Sequence, residues 1–138
     1  LQVISRDVAL VRRAAGLIAA DLDAATGVRW FVTVDDGLAV TARHAGESHT
    51  VALAPGLDED DWDWDDLDDE ALPTTLWYDA TESVWDVVDA AFACWAASVP
   101  ACPLPGGGAL LLSSGNWTCR AHAHDVAPVG ELRSALGR

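Results

Sequence analysis

Val28-Arg29-Trp30-Phe31-Val32-Thr33-Val34-Asp35-Asp36-Gly37-Leu38-Ala39-Val40-Thr41-Ala42 is the stretch that decides the fold. Val28, Trp30, Val32 and Val34 alternate with Arg29, Phe31 and Thr33, the period of two that sends successive side chains to opposite faces of a strand. Asp35-Asp36-Gly37 has the turn chemistry of a hairpin, and Leu38, Val40 and Ala42 resume the alternation on a second strand. A turn around Ala45-Gly46-Glu47 leads to His49, Val51 and Leu53, a third strand closed by Pro55-Gly56. Strands this closely joined pair antiparallel, and their apolar face requires a cover.

Helical periodicity on both sides supplies that cover. Upstream, Ser5 and Asp7 mark a helix start, Val8, Val11, Ala15, Ile18 and Leu22 recur at spacings of three and four, and Gly27 ends the pattern. This predicts a helix over 6–25. Downstream, Asp79 with Glu82 three residues later resembles a capping box, and Val84, Val88, Ala91, Trp95 and Val99 form the stripe of a helix over 83–99 that stops before Pro100. Leu76-Trp77-Tyr78 reads as a short extended piece beyond Pro73. Ala109 to Leu112, the turn Ser114-Gly115-Asn116, and the alternating Trp117, Cys119, Ala121 and Ala123 predict a second hairpin, and Pro128 to Leu136 a terminal helix.

The expected fold class is α+β. A five-stranded antiparallel sheet, a three-strand meander plus a hairpin, carries two main helices on one face and a short C-terminal helix. Trp30, Val32, Val34, Val40, Val51 and Trp117 are expected to face the helices. Residues 1–138 form a single domain, with an acidic, Trp-containing insertion at 57–75.

Charge is distributed unevenly along this domain. The chain of 138 residues has 8 Lys plus Arg against 22 Asp plus Glu, a formal charge of −14. All eight basic residues are Arg, which excludes P-loop and Schiff-base chemistry, and with almost no Asn or Gln the composition is that of a GC-rich bacterial genome. Residues 44–119 contain 15 acids and no Lys or Arg, so the whole net charge lies on one continuous stretch. A surface made acidic only for solubility would spread its acid over every face.

Within that stretch Asp58, Glu59, Asp60, Asp61, Asp63, Asp65, Asp66, Asp68, Asp69 and Glu70 surround Trp62 and Trp64. Carboxylates steer a basic partner towards the surface, and buried aromatic anchors supply much of the affinity. The expected partner-binding residues are therefore Asp58, Asp60, Asp61, Trp62, Asp63, Trp64, Asp65, Asp66, Asp68 and Asp69. A solvated loop pinned to its own core by the two Trp is the competing reading.

No metal or cofactor is expected. Asp61, Asp63 and Asp65 imitate the start of an EF-hand loop, but Asp66 stands where that loop needs Gly and Leu72 where it needs Glu. His122 and His124 share a strand face, yet Cys119 has the opposite parity, which also weakens a Cys119–His122 nucleophile pair. Leu111 stands where a nucleophile elbow around Ser113 requires Gly, and no basic residue follows Gly106-Gly107-Gly108 to make it a phosphate cradle. Three cysteines, Cys94, Cys102 and Cys119, do not form a disulfide framework, although one Cys94–Cys102 bridge is compatible with the spacing. No apolar run approaches the roughly 18 residues of a membrane span, and Ser5, Arg6 and Asp7 interrupt the place of a secretory signal, so the cytoplasm is the expected location.

These features imply a non-enzymatic acidic binding protein. Its size, charge and organisation are similar to those of immunity proteins, which neutralise a bacterial toxin, often a nuclease, by covering a basic active site. A basic toxin or nuclease is thus the expected partner of a monomer, or of a dimer as the second choice, with neither nucleic acid nor membrane bound directly. Two alternatives follow from the same residues. The element order is similar to that of small acidic type III secretion chaperones, and the charge to that of DNA mimics from phages or mobile elements.

Overall fold

The computed structural model describes residues 5–56, 70, 72–95, 99–104, 107–121 and 124–137. The elements are α1 (Val8–Thr26), β1 (Trp30–Val34), β2 (Ala39–His44), β3 (Glu47–Ala52), α2 (Leu72–Cys94), β4 (Leu110–Ser113), β5 (Asn116–Cys119), β6 (Asp125–Pro128) and α3 (Leu132–Ala135). The class is α+β. Instead of the single five-stranded sheet expected from the sequence, there are two antiparallel sheets, ordered β1-β2-β3 and β4-β5-β6.

The physical reason is that the second hairpin fills both its edges locally. β6 pairs with β5 on one side. On the other, Leu110 N–H donates to Pro100 O, Cys102 N–H donates to Gly108 O, and Ala101 bridges Ala109. Neither edge of the β4–β5 hairpin is left to join the meander. Asp125-Val126-Ala127-Pro128 has an acid and a proline at its ends and does not advertise a strand.

The ends of α1 follow local rules. Asp7 caps its first turn by accepting from Ala9 N–H, and Gly27 ends it in the left-handed conformation at φ 72°. α2 begins at Leu72, well ahead of the expected start, so Leu76, Trp77 and Tyr78 are helical and not extended. Pro73 lies in the first turn, where a missing N–H costs nothing because no carbonyl precedes it to be bonded. The acidic insertion accordingly ends before residue 72, and Asp79 lies inside the helix, where it holds the Arg6 guanidinium through Nε at 3.0 Å and Nη2 at 3.2 Å. At the C-terminus, the expected helix over 128–136 is reduced to the four residues of α3, because Asp125–Pro128 is used as a strand. The final expected strand likewise stops at Cys119.

Beneath the first sheet, α1 lies along β1, and α2 lies under β2 and β3. Trp30, Val32, Val34, Val40 and Trp117 are buried as expected; Val51 is not, with 37% of its surface exposed on the edge strand. Trp30 is stacked on His44 at 4.4 Å and packs against Phe92 of α2 and Trp95 just beyond its end. Trp117, fully buried, meets Trp85 edge to face at 5.1 Å. Its indole Nε1 donates at 2.7 Å to Asp21, a carboxylate of α1 with 1% exposure.

Asp21 also accepts from Gly130 N–H at 2.6 Å and Leu132 N–H at 3.2 Å. Burial pushes its carboxyl up from the ordinary aspartate range, and the three donors pull it partly back. Because the folded value is raised, the folded chain binds this proton more tightly than the unfolded one. Asp21 therefore makes stability fall as pH rises through the carboxylate range. Asp21→Asn turns one acceptor into a donor facing an N–H group. Denaturant titration at neutral pH should show a loss of about 1–3 kcal/mol, and Asp21→Ala at least as much.

Candidate functional site

The ten expected partner-binding residues, Asp58, Asp60, Asp61, Trp62, Asp63, Trp64, Asp65, Asp66, Asp68 and Asp69, lie outside the described residues, as does His122. What the structure does describe is the helix that follows them. α2 carries four acids, Asp79, Glu82, Asp86 and Asp89. Asp79 is neutralised by Arg6 and accepts from Ser83 Oγ at 3.4 Å. The other three, at i, i+4 and i+7, fall on one face of the helix, because two turns take about seven residues.

Their surroundings differ. Glu82 Oε1 accepts from Ser114 N–H at 3.2 Å, in the turn between β4 and β5. Asp89 is 3.4 Å from Arg120, with both side chains partly exposed. Asp86, between them, is exposed. Partial desolvation pushes the Asp86 carboxyl up, and the negative charges of Glu82 and Asp89 push it further. The folded chain thus disfavours the ionised form of Asp86.

Arginine is placed both against this helix and away from it. Arg6 and Arg12 are paired with Asp79 and Asp36, and Arg13 lies 5.2 Å over the Trp77 ring. Arg29 and Arg43 are on the outer face of the first sheet, the side away from α2, where Arg29 lies 5.5 Å from the exposed Phe31 ring and Phe31 pairs with Arg43. Arg6, Arg13 and Arg120 thus lie against α2, and Arg29 and Arg43 on the opposite face of the first sheet.

Chain comparisons add nothing to this geometry: no known family, curated protein or solved structure gives a match.

The residues considered for catalysis and metal binding are arranged differently from the sequence expectation. Cys119, buried in β5, donates its backbone N–H to His124 O at 3.0 Å. The thiol beside His124 is that of Cys102, with Sγ 3.6 Å from Nε2. This neighbour was invisible in the sequence because residues 100–102 return to pair with 108–110, a pairing with no periodic signal. Cys94 and Cys102 are both free thiols, one exposed and one buried, so the bridge compatible with their spacing is not formed. Among the described residues no three His, Cys, Asp or Glu side chains converge to hold a metal ion, and no helix is long and apolar enough to cross a membrane. A groove of about 560 Å³ beside Asp21 and Arg133 offers that carboxylate to no ligand, since three N–H donors already occupy it.

The carboxylate stripe makes its own prediction. A raised Asp86 value means that its ionisation lowers stability as pH rises through the carboxylate range. Asp86→Asn should raise the melting temperature at neutral pH and leave it unchanged in acid, where Asp86 is protonated in both states. Calorimetry at the two pH values checks this.

Proposed function

We propose that the protein is an acidic binding protein that neutralises a basic partner by covering its functional surface, in the manner of an immunity protein acting on a nuclease-type toxin. One observation carries the reading. The whole net charge lies on residues 44–119, and within it a helix face carries Asp86, an exposed carboxylate that the charges of Glu82 and Asp89 repel. A cationic surface brought against this face relieves that repulsion, so the unfavourable term of the free protein becomes a favourable term of the complex. Trp62 and Trp64, between the acids of 58–70, are proposed as the anchors that slow dissociation.

A second reading, a secretion chaperone or adaptor holding a segment of another protein, rests on the element order expected from the sequence, from which the third strand of the second sheet departs. The two differ in what the partner must be. An inhibitor binds a folded basic enzyme, whereas a chaperone binds an unfolded segment.

The test uses a folded basic enzyme captured by the protein and purified. Replacing Asp61, Asp63 and Asp65 together with Asn should slow association and flatten its salt dependence, with the fold intact. Trp62→Ala or Trp64→Ala should instead speed dissociation and cost on the order of 2 kcal/mol. An unchanged association rate and salt slope in the triple variant would remove the acidic segment from the recognition surface.

A further inference from the structure

The first sheet has two free edges, and the fold treats them differently. Asp35 N–H donates to Ala39 O, which turns the odd-numbered residues of β1 towards β2 and leaves Trp30, Val32 and Val34 facing outward. That edge is guarded. Asp23 accepts from Trp30 N–H, Arg12 Nε donates to Val34 O at 2.9 Å, and α1 lies alongside. Side chains and a helix placed in this way block the pairing of a further strand.

Among the described residues β3 has no such guard. Leu53 N–H donates to Leu38 O, so Glu47, His49 and Val51 bond towards β2, and Ser48, Thr50 and Ala52 present their backbone groups outward. No hydrogen bond among the described residues reaches those outward groups. Every residue of β3 except His49 is exposed. From Ser48 to Leu53 the chain carries no charge and no proline, so those devices are missing along this part of the edge, and cover begins only at Ala54 and Pro55, whose carbonyls accept from Arg6.

We propose that β3 pairs antiparallel with β3 of a second copy, about a two-fold axis through Thr50, so that two three-stranded sheets become one continuous sheet. In this register Thr50 exchanges both backbone bonds with its own copy, and Ser48 does so with Ala52 of the second copy. The hydroxyl row Thr33, Thr41, Thr50, already joined by a 2.8 Å contact between Thr41 and Thr50 Oγ1, continues across the axis with Thr beside Thr. On the other face Val51 meets His49 of the second copy and is covered. Glu47 falls opposite Leu53, so no like charges face each other along the new ladder. The register is self-complementary in bonds, apolar cover and charge, which favours a second copy over a foreign strand.

The charge of −14 on each copy opposes the pairing at long range, so salt should strengthen it. Sedimentation equilibrium of the full chain at low and high salt tests the proposal, together with Thr50→Lys and Thr50→Pro. Lysine would put two ammonium groups across the axis. Proline would remove an N–H that faces solvent in the single chain and therefore breaks no bond of its own sheet. The wild type should dimerise more tightly as salt rises, and both variants should weaken the dimer at least about tenfold with an unchanged circular dichroism spectrum. If the proline variant does not fold, the lysine variant decides. A wild type that stays monomeric at high salt, or a folded Thr50→Lys variant that dimerises like the wild type, would overturn the proposal.

Discussion

The buried carboxylate of Asp21 is the constraint on which the arrangement of the rest depends. It sits on α1, and its donors come from the opposite end of the chain, Trp117 on β5 and Gly130 and Leu132 at the turn into α3. A carboxylate removed from water is costly unless its lone pairs are occupied, and here three N–H groups occupy them. The position of Trp117 then decides how Trp85 packs against it, and with Trp85 the placement of α2. One group therefore ties the first helix, the second sheet and the C-terminal turn to a single geometry.

At the other end of the helix pair, Arg6 grips Asp79 through two nitrogens and Ala54 O at 2.8 Å through a third, joining the start of α1 to α2 and to the segment after β3. Trp30 between His44, Phe92 and Trp95 fixes the first sheet on α2. Asp21 and Asp79 hold the fold together, Glu82 and Asp89 tie α2 to the turn after β4 and to Arg120, and Asp86 between them is exposed. Ionisation of Asp86 beside Glu82 and Asp89 lowers the stability of the free chain, a cost that the proposed cationic partner would offset.

The legible part of the fold was the part written in period two or 3.6. α1 and the meander from Trp30 to Ala52 follow from alternation, Asp-Gly turn chemistry and the Gly27 stop. The rest depended on contacts that leave no periodic trace. Pro73 read as a breaker because its place in a first turn is known only when the helix is. β6 is short and flanked by Asp125 and Pro128, and the return of residues 100–102 to the β4 edge, which both divides the sheet in two and brings Cys102 to His124, is a pairing of irregular segments. Of the candidate site, the segregation of acid was plain from Arg43 to Arg120, since net charge is a property of sequence. The separation of Asp79 from Glu82, Asp86 and Asp89 was not, because Arg6 lies 73 residues away. Nor could Asp21 be told from any other helical acid before Trp117 was found beside it.

The most direct measurement of the central claim is a carboxyl footprint. The protein is labelled with a carbodiimide and an amine, alone and in complex with the basic enzyme it captures, and the modified acids are located by mass spectrometry. The account expects protection of the acids of 58–70 and of Glu82, Asp86 and Asp89, with Asp35, Asp36 and Asp125 equally reactive in both states. Protection of those last three with unchanged labelling of the acidic stretch would contradict it.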